Sequence, residues 1–342
     1  MDMPAAIGRV LDNNDLNHGE MLDVMNLIMS GAATDAQIGG FLVGLRAKGE
    51  TVDEITAAAT VMRSLALPVS VAAENVVDTC GTGGSGSNKF NVSTASAFVA
   101  SAAGASIAKH GNRAASSKSG SADVLEALGA EIMLSPEQVG RCIDTSGIGF
   151  LFALSHHGAM KHAIGPRKEM IVRTVFNLLG PLTNPAGAKR QVLGVYNRAW
   201  VRPIAEVLQK LGSEHVLVVH SADGLDEISI ADETYVAELQ DGEVTEYVIS
   251  PEMFGLKRTE LSDLIVEGAA ESATLVRGAL DGSHDAATDI VSVNAGAAIY
   301  VAGLCGDLKS GVTMAQDAVG SGLAKEKLRD FVDFTQQIKD MA

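Results

Sequence analysis

Asp78-Thr79-Cys80-Gly81-Thr82-Gly83-Gly84-Ser85-Gly86-Ser87-Asn88-Lys89-Phe90-Asn91-Val92-Ser93-Thr94 is the stretch around which the chain is organised. An apolar pair, Val76-Val77, runs into four glycines within six positions, and a run of small residues follows. Glycine accepts positive φ and lets the backbone come close to a ligand. Asn91, Ser93 and Thr94 place amide, hydroxyl and free N–H donors where the next helix begins. A strand, a glycine turn and a helix start, in that order, predict an anion-binding loop suited to phosphate.

The rest of the chain sets bounds on that reading. With 342 residues, 46% of them hydrophobic, it can bury one large core or two ordinary ones. Only 4% are aromatic, so close packing of helices on a sheet through small side chains is expected, in an α/β architecture. The net charge of −16 opposes a nucleic-acid or anionic-membrane surface, so a bound anion needs local cations. Cys80, Cys142 and Cys305 have no metal-ligand spacing and are odd in number; they read as small buried thiols in a reducing compartment. Met1-Asp2-Met3-Pro4 lacks the basic and apolar regions of a signal peptide. The apolar stretch over 95–108 is too short and too rich in Ser and Gly to span a bilayer. The expectation is a soluble cytoplasmic protein.

Residues 4–67 predict four short helices. Asn17 with Glu20 and Thr51 with Glu54 have capping-box spacing, and Leu22, Met25, Ile28, Met29 and Ile38, Phe41, Leu42, Leu45 recur on helical faces. Apolar surface left over on this bundle suits a homodimer contact. From Val76 the pattern alternates: strand, glycine loop, a helix over Thr94–Ala103, a short strand at Ser106-Ile107-Ala108, and a loop from Lys109 to Ser121. Ser121 is expected to cap a helix from Ala122 to Leu128, and Ser135 with Gln138 the next; 148–152 reads as a buried strand. Pro166, at a first helical position, is expected to open a helix through Ile171, Val172, Val175 and Leu178, ended by Gly180-Pro181. That segment is expected to pack back on the N-terminal helices. Beyond it come strands at 192–196 and 215–220 around a helix at 204–211, a hairpin over Asp241-Gly242, and a helical tail from Ala286. The predicted division is 1–69 plus about 158–185 as a helical domain, and 70–157 plus 186–342 as an α/β domain.

Gly81-Thr82-Gly83-Gly84-Ser85-Gly86 contains a literal G-x-G-x-x-G, but a dinucleotide fold should show an acidic residue about 20 positions on, where this chain has Lys109-His110. A Walker A loop fails because Asn88 rather than glycine precedes Lys89. Lys109, His110, Asn112, Arg113, Ser116, Ser117 and Lys118 form a cationic, donor-rich loop after the second strand. Two adjacent strands ending in such loops converge on one crevice. The third element is Ser221-Ala222-Asp223-Gly224-Leu225-Asp226-Glu227; its adjacent carboxylates can hold Mg²⁺ together with water and substrate phosphate. The three together describe a magnesium–diphosphate site.

Gly81-Thr82-Gly83-Gly84, Asn91-Val92-Ser93-Thr94, Lys109-His110-Gly111-Asn112-Arg113, Gly120-Ser121-Ala122-Asp123, the run from Phe176 to Pro185, and Asp223-Gly224-Leu225-Asp226-Glu227 resemble the anthranilate phosphoribosyltransferase family, in order and over nearly the whole chain. The resemblance implies a small helical domain hinged to an α/β domain with a central, mostly parallel sheet of the nucleoside phosphorylase/phosphoribosyltransferase type. It implies a homodimer through the helical part and two Mg²⁺ per subunit. The implied reaction moves the phosphoribosyl group of 5-phosphoribosyl 1-pyrophosphate (PRPP) to the amine of anthranilate and releases pyrophosphate, the second step from chorismate to tryptophan. By position, Gly81, Gly84, Asn91, Ser93, Thr94, Lys109 and Ser117 would hold PRPP, with Ser121 nearby and Ser85 and Lys89 in the same loop. Ser93, Asp226 and Glu227 would ligate magnesium. Asn112 and Arg167 would meet anthranilate, with Gly81, His110 and His157 lining its path and neither histidine acting as a base.

Two positions depart from the family pattern: Ser85 stands where the family has Asp, and Lys89 where it has a small hydroxyl residue. If both face the ligand, the loop gains about two units of positive charge. The expectation is that Lys89 partly substitutes for magnesium near the diphosphate. Leu154 and Gly165-Pro166 also differ from the pattern, while Arg167 keeps its register. Two other readings compete. A pyrimidine nucleoside phosphorylase would usually carry a further C-terminal domain and would not need Asp226-Glu227; a nucleic-acid-binding relative without catalysis sits poorly with the acidic charge.

Overall fold

A computed structural model describes residues 1–84, 86–114 and 118–339, so the expectations on Ser85, Ser116 and Ser117 lie outside the described residues. The N-terminal part forms α1 (Met3–Leu11), α2 (His18–Met29), α3 (Asp35–Lys48) and α4 (Val52–Leu65). Each start is closed by a side chain: Asp2 accepts from the Ala5 N–H, and Asn17/Glu20, Thr34/Gln37 and Thr51/Glu54 make reciprocal capping boxes. Glu54 does more than cap. Fully buried, it accepts from the Leu16 N–H at 2.9 Å and the Thr51 N–H at 2.8 Å, and pairs with the buried Lys48 ammonium at 3.0 Å. Lys48 also reaches Asp15 at 2.7 Å.

The α/β part then runs β1 (Val77–Gly81), α5 (Val92–Ala102), β2 (Ile107–Gly111), α6 (Ser121–Leu128), α7 (Pro136–Ser146) and β3 (Ile148–Phe152). Lys109 and His110 therefore belong to the second strand itself rather than to the loop after it. Ser121 is the first residue of α6, not its cap. Gly120 holds the cap position, and Asp123 reaches back to accept from the Gly120 and Ala114 N–H groups, both at 2.9 Å. A Cβ at Gly120 would stand 2.4 Å from the Ala114 nitrogen, which is why glycine occupies this return of the loop.

The helix predicted from Pro166 is two helices. After α8 (Ala153–His156), α9 (Lys161–Met170) carries Pro166 in its interior and ends at Ile171, which is left-handed at φ 51°; α10 (Phe176–Leu179) is a separate turn. The break has a local cause: Asn177 Oδ1 accepts from the Thr174 N–H at 2.9 Å and restarts the chain. As expected, the segment packs on the N-terminal helices, with Ala163, Val175, Phe176 and Leu178 in their core.

The chain continues through β4 (Arg190–Gly194), α11 (Val201–Lys210), β5 (His215–Ser221), β6 (Thr234–Gln240) and β7 (Glu243–Ile249). The hairpin turns on Asp241 (φ 52°) and Gly242 (φ 80°), two left-handed residues as a tight antiparallel turn requires. Helical structure resumes earlier than expected, with α12 (Ala269–Leu280), whose start is closed when Glu271 accepts from the Glu267 N–H, and goes on through α13 (Asp285–Val301), α14 (Leu308–Gly320) and α15 (Leu323–Lys339).

The described strands form one seven-stranded sheet in the order β3-β2-β1-β4-β5-β6-β7, parallel from β3 to β5 and antiparallel at β6 and β7. Alternate side chains of one strand enter opposite cores. Val216 and Val218 join the core shared with α2, α3, α4 and α11, while Leu217 and Val219 join the one under α5, α12 and α13. The N-terminal helices thus share a core with one face of the sheet. Among the described residues no helix is long and apolar enough to cross a membrane.

Candidate active site

From β1 the chain builds outward on one side through β2 and β3, then returns to add β4 and β5 on the other. Strand order reverses between β1 and β4, and in open α/β sheets a crevice opens beyond the carboxyl ends of the strands at such a point. Described residues of three segments reach it: the glycine loop after β1, residues 112–114 and 118–120 after β2, and the acidic loop after β5.

The acidic and glycine loops are joined directly. Asp226 Oδ2 accepts from the Gly83 N–H at 3.0 Å, and Glu227 Oε1 accepts from the Ser93 N–H at 3.2 Å at the first turn of α5. Close approach depends on missing side chains. A Cβ on Gly81 would lie 2.8 Å from Asp226 Oδ2, and one on its β4 neighbour Gly194 would lie 1.6 Å from the Asp226 carbonyl oxygen. Lys109, buried in β2, donates to the Thr79 carbonyl at 2.6 Å and to Ser93 Oγ at 3.2 Å, leaving one of its three N–H donors. Burial lowers its pKa, and the Asp78 charge opposes that.

Glu227 is pushed up to about 8 by burial and by the Asp226 charge beside it, with Lys89 pulling the other way. A hard divalent cation relieves that crowding, because its own charge reverses the local balance. Two carboxylates and the Ser93 hydroxyl fit such an ion. Among the described residues no group of three His, Cys, Asp or Glu side chains could hold a metal ion, so the remaining ligands fall to water and substrate phosphate, the usual mode for magnesium.

Other expected residues behave differently. Asn91 stands at the start of α5 without capping it; its Oδ1 accepts from Ser119 Oγ at 2.9 Å and Ser272 Oγ at 2.7 Å, tying the glycine loop to the second loop and to α12. Thr94 is fully buried and its hydroxyl has no hydrogen-bond partner among the described residues. Ser121 Oγ donates to the Asn112 carbonyl at 3.3 Å. Of the thiols expected to be buried, only Cys142 is; Cys80 and Cys305 are half-buried, and desolvation raises the Cys80 pKa well above its usual value, which disfavours the thiolate.

His110 and His157 meet with their Nε2 atoms 3.2 Å apart. Burial and each other's company hold His110 down to about 3, and burial with the neighbouring His156 holds His157 down to about 4. Both rings are neutral at pH 7, so one Nε2 donates and the other accepts. Arg167 packs its guanidinium over the Phe176 ring at 5.1 Å, and Asn112 is exposed at the crevice mouth. No hydrogen bond or ion pair joins Arg167 to Asn112 or His110 among the described residues.

Sequence reasoning missed Arg173. Its guanidinium lies over the Tyr196 ring at 4.5 Å and donates to the Gly84 carbonyl, while Arg46 of α3 donates to the Arg173 carbonyl. This chain of contacts ties the glycine loop to the helical part, and nothing in the spacing of Arg46, Gly84 and Arg173 announces it. Gly194 and Asn294 were missed too; Asn294 accepts from the Ile228 N–H at 3.0 Å and anchors the acidic loop on α13.

Family models for a glycosyl transferase match the chain twice, a helical-bundle domain over residues 4–66 and an a/b domain over 73–325. The anthranilate phosphoribosyltransferase of Thioalkalivibrio sulfidiphilus is 62% identical over 98% of this chain and 99% of that protein, and the one from a Marinomonas species is 61% identical over 98% of each. Among solved structures, the anthranilate phosphoribosyltransferase of Thermus thermophilus superposes with a TM-score of 0.91 at 44% identity, over 97% of this chain and 99% of the other. The Saccharomyces cerevisiae enzyme in complex with PRPP and Mg matches with a TM-score of 0.89 at 28% identity over 98% of both chains. The chain belongs to this glycosyl transferase family and, within it, to the anthranilate phosphoribosyltransferases.

Proposed function

We propose that the protein transfers the phosphoribosyl group of PRPP to the amine of anthranilate, giving N-(5-phosphoribosyl)anthranilate and pyrophosphate, in the tryptophan pathway. The observation that carries this is the meeting, at the reversal of strand order, of the Gly83 N–H with Asp226 and of the Ser93 N–H with Glu227.

In this reading Gly81, Gly84, Asn91, Ser93, Thr94, Lys109 and Ser121 surround PRPP. Thr94 and Asn91 act by shaping the start of α5, since their side chains face the protein. Asp226, Glu227 and Ser93 hold magnesium, with two ions per subunit when the substrate supplies phosphate oxygens. Bound there, magnesium supplies positive charge to the departing diphosphate. The C1–oxygen bond breaks with its electron pair going to pyrophosphate, and the anthranilate nitrogen forms the new bond to C1. Lys109 and the backbone donors of the loop stabilise the leaving charge. Once it carries positive charge the nitrogen is strongly acidic and gives its proton to water or to the released pyrophosphate, so a strong base is unnecessary. That fits His110 and His157, whose depressed pKa values make them poor bases and apt neutral walls for an aromatic ring. Arg167 orients the anthranilate carboxylate.

The domain division in this reading is 1–69 with about 158–185 against 70–157 with 186–342, supported by the packing of Ala163, Val175, Phe176 and Leu178 on the N-terminal helices. Exposed Leu11 and Val43, on α1 and α3, support a homodimer through the helical part; light scattering giving a monomer mass at micromolar concentration would remove that element. The cytoplasm is the expected compartment.

Loss of anthranilate fluorescence with PRPP and Mg²⁺ tests the reaction. Turnover that stops in Asp226→Asn and Glu227→Gln is expected. A folded wild-type protein that binds PRPP without turnover would instead favour a binding role, and phosphorolysis of a pyrimidine nucleoside would favour a phosphorylase.

A further inference from the structure

Lys89 is held in place by backbone on both sides. It forms an isolated antiparallel bridge with Ile265; next to it, the Val266 N–H donates to the Asn88 carbonyl at 2.9 Å, and the Phe90 N–H to the Leu264 carbonyl at 3.0 Å. Phe90 goes into the core, 2% exposed. The Lys89 ammonium is buried, yet it has no hydrogen-bond partner among the described residues. Burial lowers its pKa, the charges of Glu227, Asp223 and Asp226 oppose that, and no ion pair joins Lys89 to any of them among the described residues. Asp223 is already committed to Ser229 Oγ at 2.5 Å and the Leu225 N–H at 3.1 Å. Asp226 and Glu227 each keep an oxygen that makes no hydrogen bond among the described residues.

A buried, unpartnered ammonium is costly, and a protein keeps one where a ligand completes it. We infer that Lys89 is a resident counter-cation of the Asp226–Glu227 pair, which weakens divalent-metal binding to the free protein and donates to the diphosphate when that arrives. Metal and diphosphate then load together: the anion draws the ammonium to itself and frees the carboxylates for the ion. This rests on the reading that Asp226, Glu227 and Ser93 hold magnesium, and it adds to that reading an order of loading set by a residue of this chain.

The test uses Mn²⁺ as a spectroscopic substitute for Mg²⁺, titrated into wild type, Lys89→Thr and Lys89→Gln with and without inorganic pyrophosphate and read by water-proton relaxation. Metal-free pyrophosphate binding is measured separately by calorimetry. Without pyrophosphate, both variants are expected to bind Mn²⁺ roughly tenfold more tightly than wild type, about 1.4 kcal/mol. Metal-free pyrophosphate is expected to bind them roughly tenfold more weakly. Lys89→Arg should behave as wild type in both titrations. A lysine with a packing role alone would move neither affinity, or both the same way. Unchanged or weaker Mn²⁺ binding in variants with wild-type circular dichroism and Tm overturns the inference, as does unchanged pyrophosphate binding. Should wild type bind no Mn²⁺ even with pyrophosphate, the metal site itself fails, which separates that outcome from a failure of Lys89 alone.

Discussion

Gly194, at the end of β4, passes so close to Asp226 that a Cβ at Gly194 would stand 1.6 Å from the Asp226 carbonyl oxygen. The obstacle is backbone on both sides, held by the sheet pairing of Gly194 with Gly81 and Val219. Gly194→Ala is therefore expected to push the acidic loop away from the glycine loop. Overpacking of this kind costs roughly 1–3 kcal/mol of stability, and turnover should fall well over tenfold because Asp226 leaves its register. Gly8→Ala, where a Cβ meets nothing within 4 Å, is the control. Equal Tm and equal kcat/KM for both variants would contradict the assignment.

The neutral pair His110 and His157 makes stability depend on acid. Unfolded histidine takes its proton near 6.5, whereas these two resist until about 3 and about 4. Between those limits the unfolded chain binds more protons, so stability falls as pH drops below 6.5 and is unaffected by these groups above pH 7. The slope is about 1.4 kcal/mol per pH unit for each histidine. Urea unfolding of wild type and His157→Asn should diverge as pH falls from 7, their slopes differing by close to one proton between pH 6 and 5; parallel slopes there would refute the linkage.

Ile171 carries a β-branched side chain at φ 51° and is 87% exposed, so its conformation is strained and little packing is lost with its side chain. Ile171→Gly is expected to raise stability by about 1 kcal/mol, seen as a higher Tm. A lowered Tm would mean that the side chain makes contacts in solution that outweigh the strain.

Glu54 is buried against Lys48 and satisfies two backbone N–H groups. Glu54→Gln leaves Lys48 with Asp15 and the Gly49 carbonyl only, and turns one of the acceptors serving the Leu16 and Thr51 N–H groups into a donor, so it should cost about 1–3 kcal/mol. Adding Lys48→Met should recover part of that loss, since the two positions are coupled. Additive effects in the double-mutant cycle would show that the pair does not act as a unit.

Much of the molecule was legible in short stretches. Capping boxes such as Asn17/Glu20 and Ser135/Gln138, the strand read at 215–220, and the Asp241-Gly242 turn depend on neighbours a few residues apart, and all formed as read. The glycine cluster and the Asp226-Glu227 pair were legible for the same reason: each carries its chemistry in adjacent residues. The misreadings were also local. Pro166 looked like a helix start but sits inside α9, which begins at Lys161; the helix read on through Leu178 is broken where Asn177 accepts from the Thr174 N–H, and Ser121 looked like a cap where Gly120 serves because Asp123 reaches back to it.

What the sequence determined by itself was the set of elements and the residue types at three loops. What only the tertiary structure decided was their meeting: strand order reverses between β1 and β4, so loops more than 100 residues apart share one crevice. The same long-range placement leaves the Lys89 ammonium buried without a hydrogen-bond partner among the described residues, under the charges of Glu227, Asp223 and Asp226, and sends Arg173 to the Gly84 carbonyl. Hydrogen bonds and charges act through space, and a spacing pattern along the chain carries no record of which distant groups the sheet will bring within their reach.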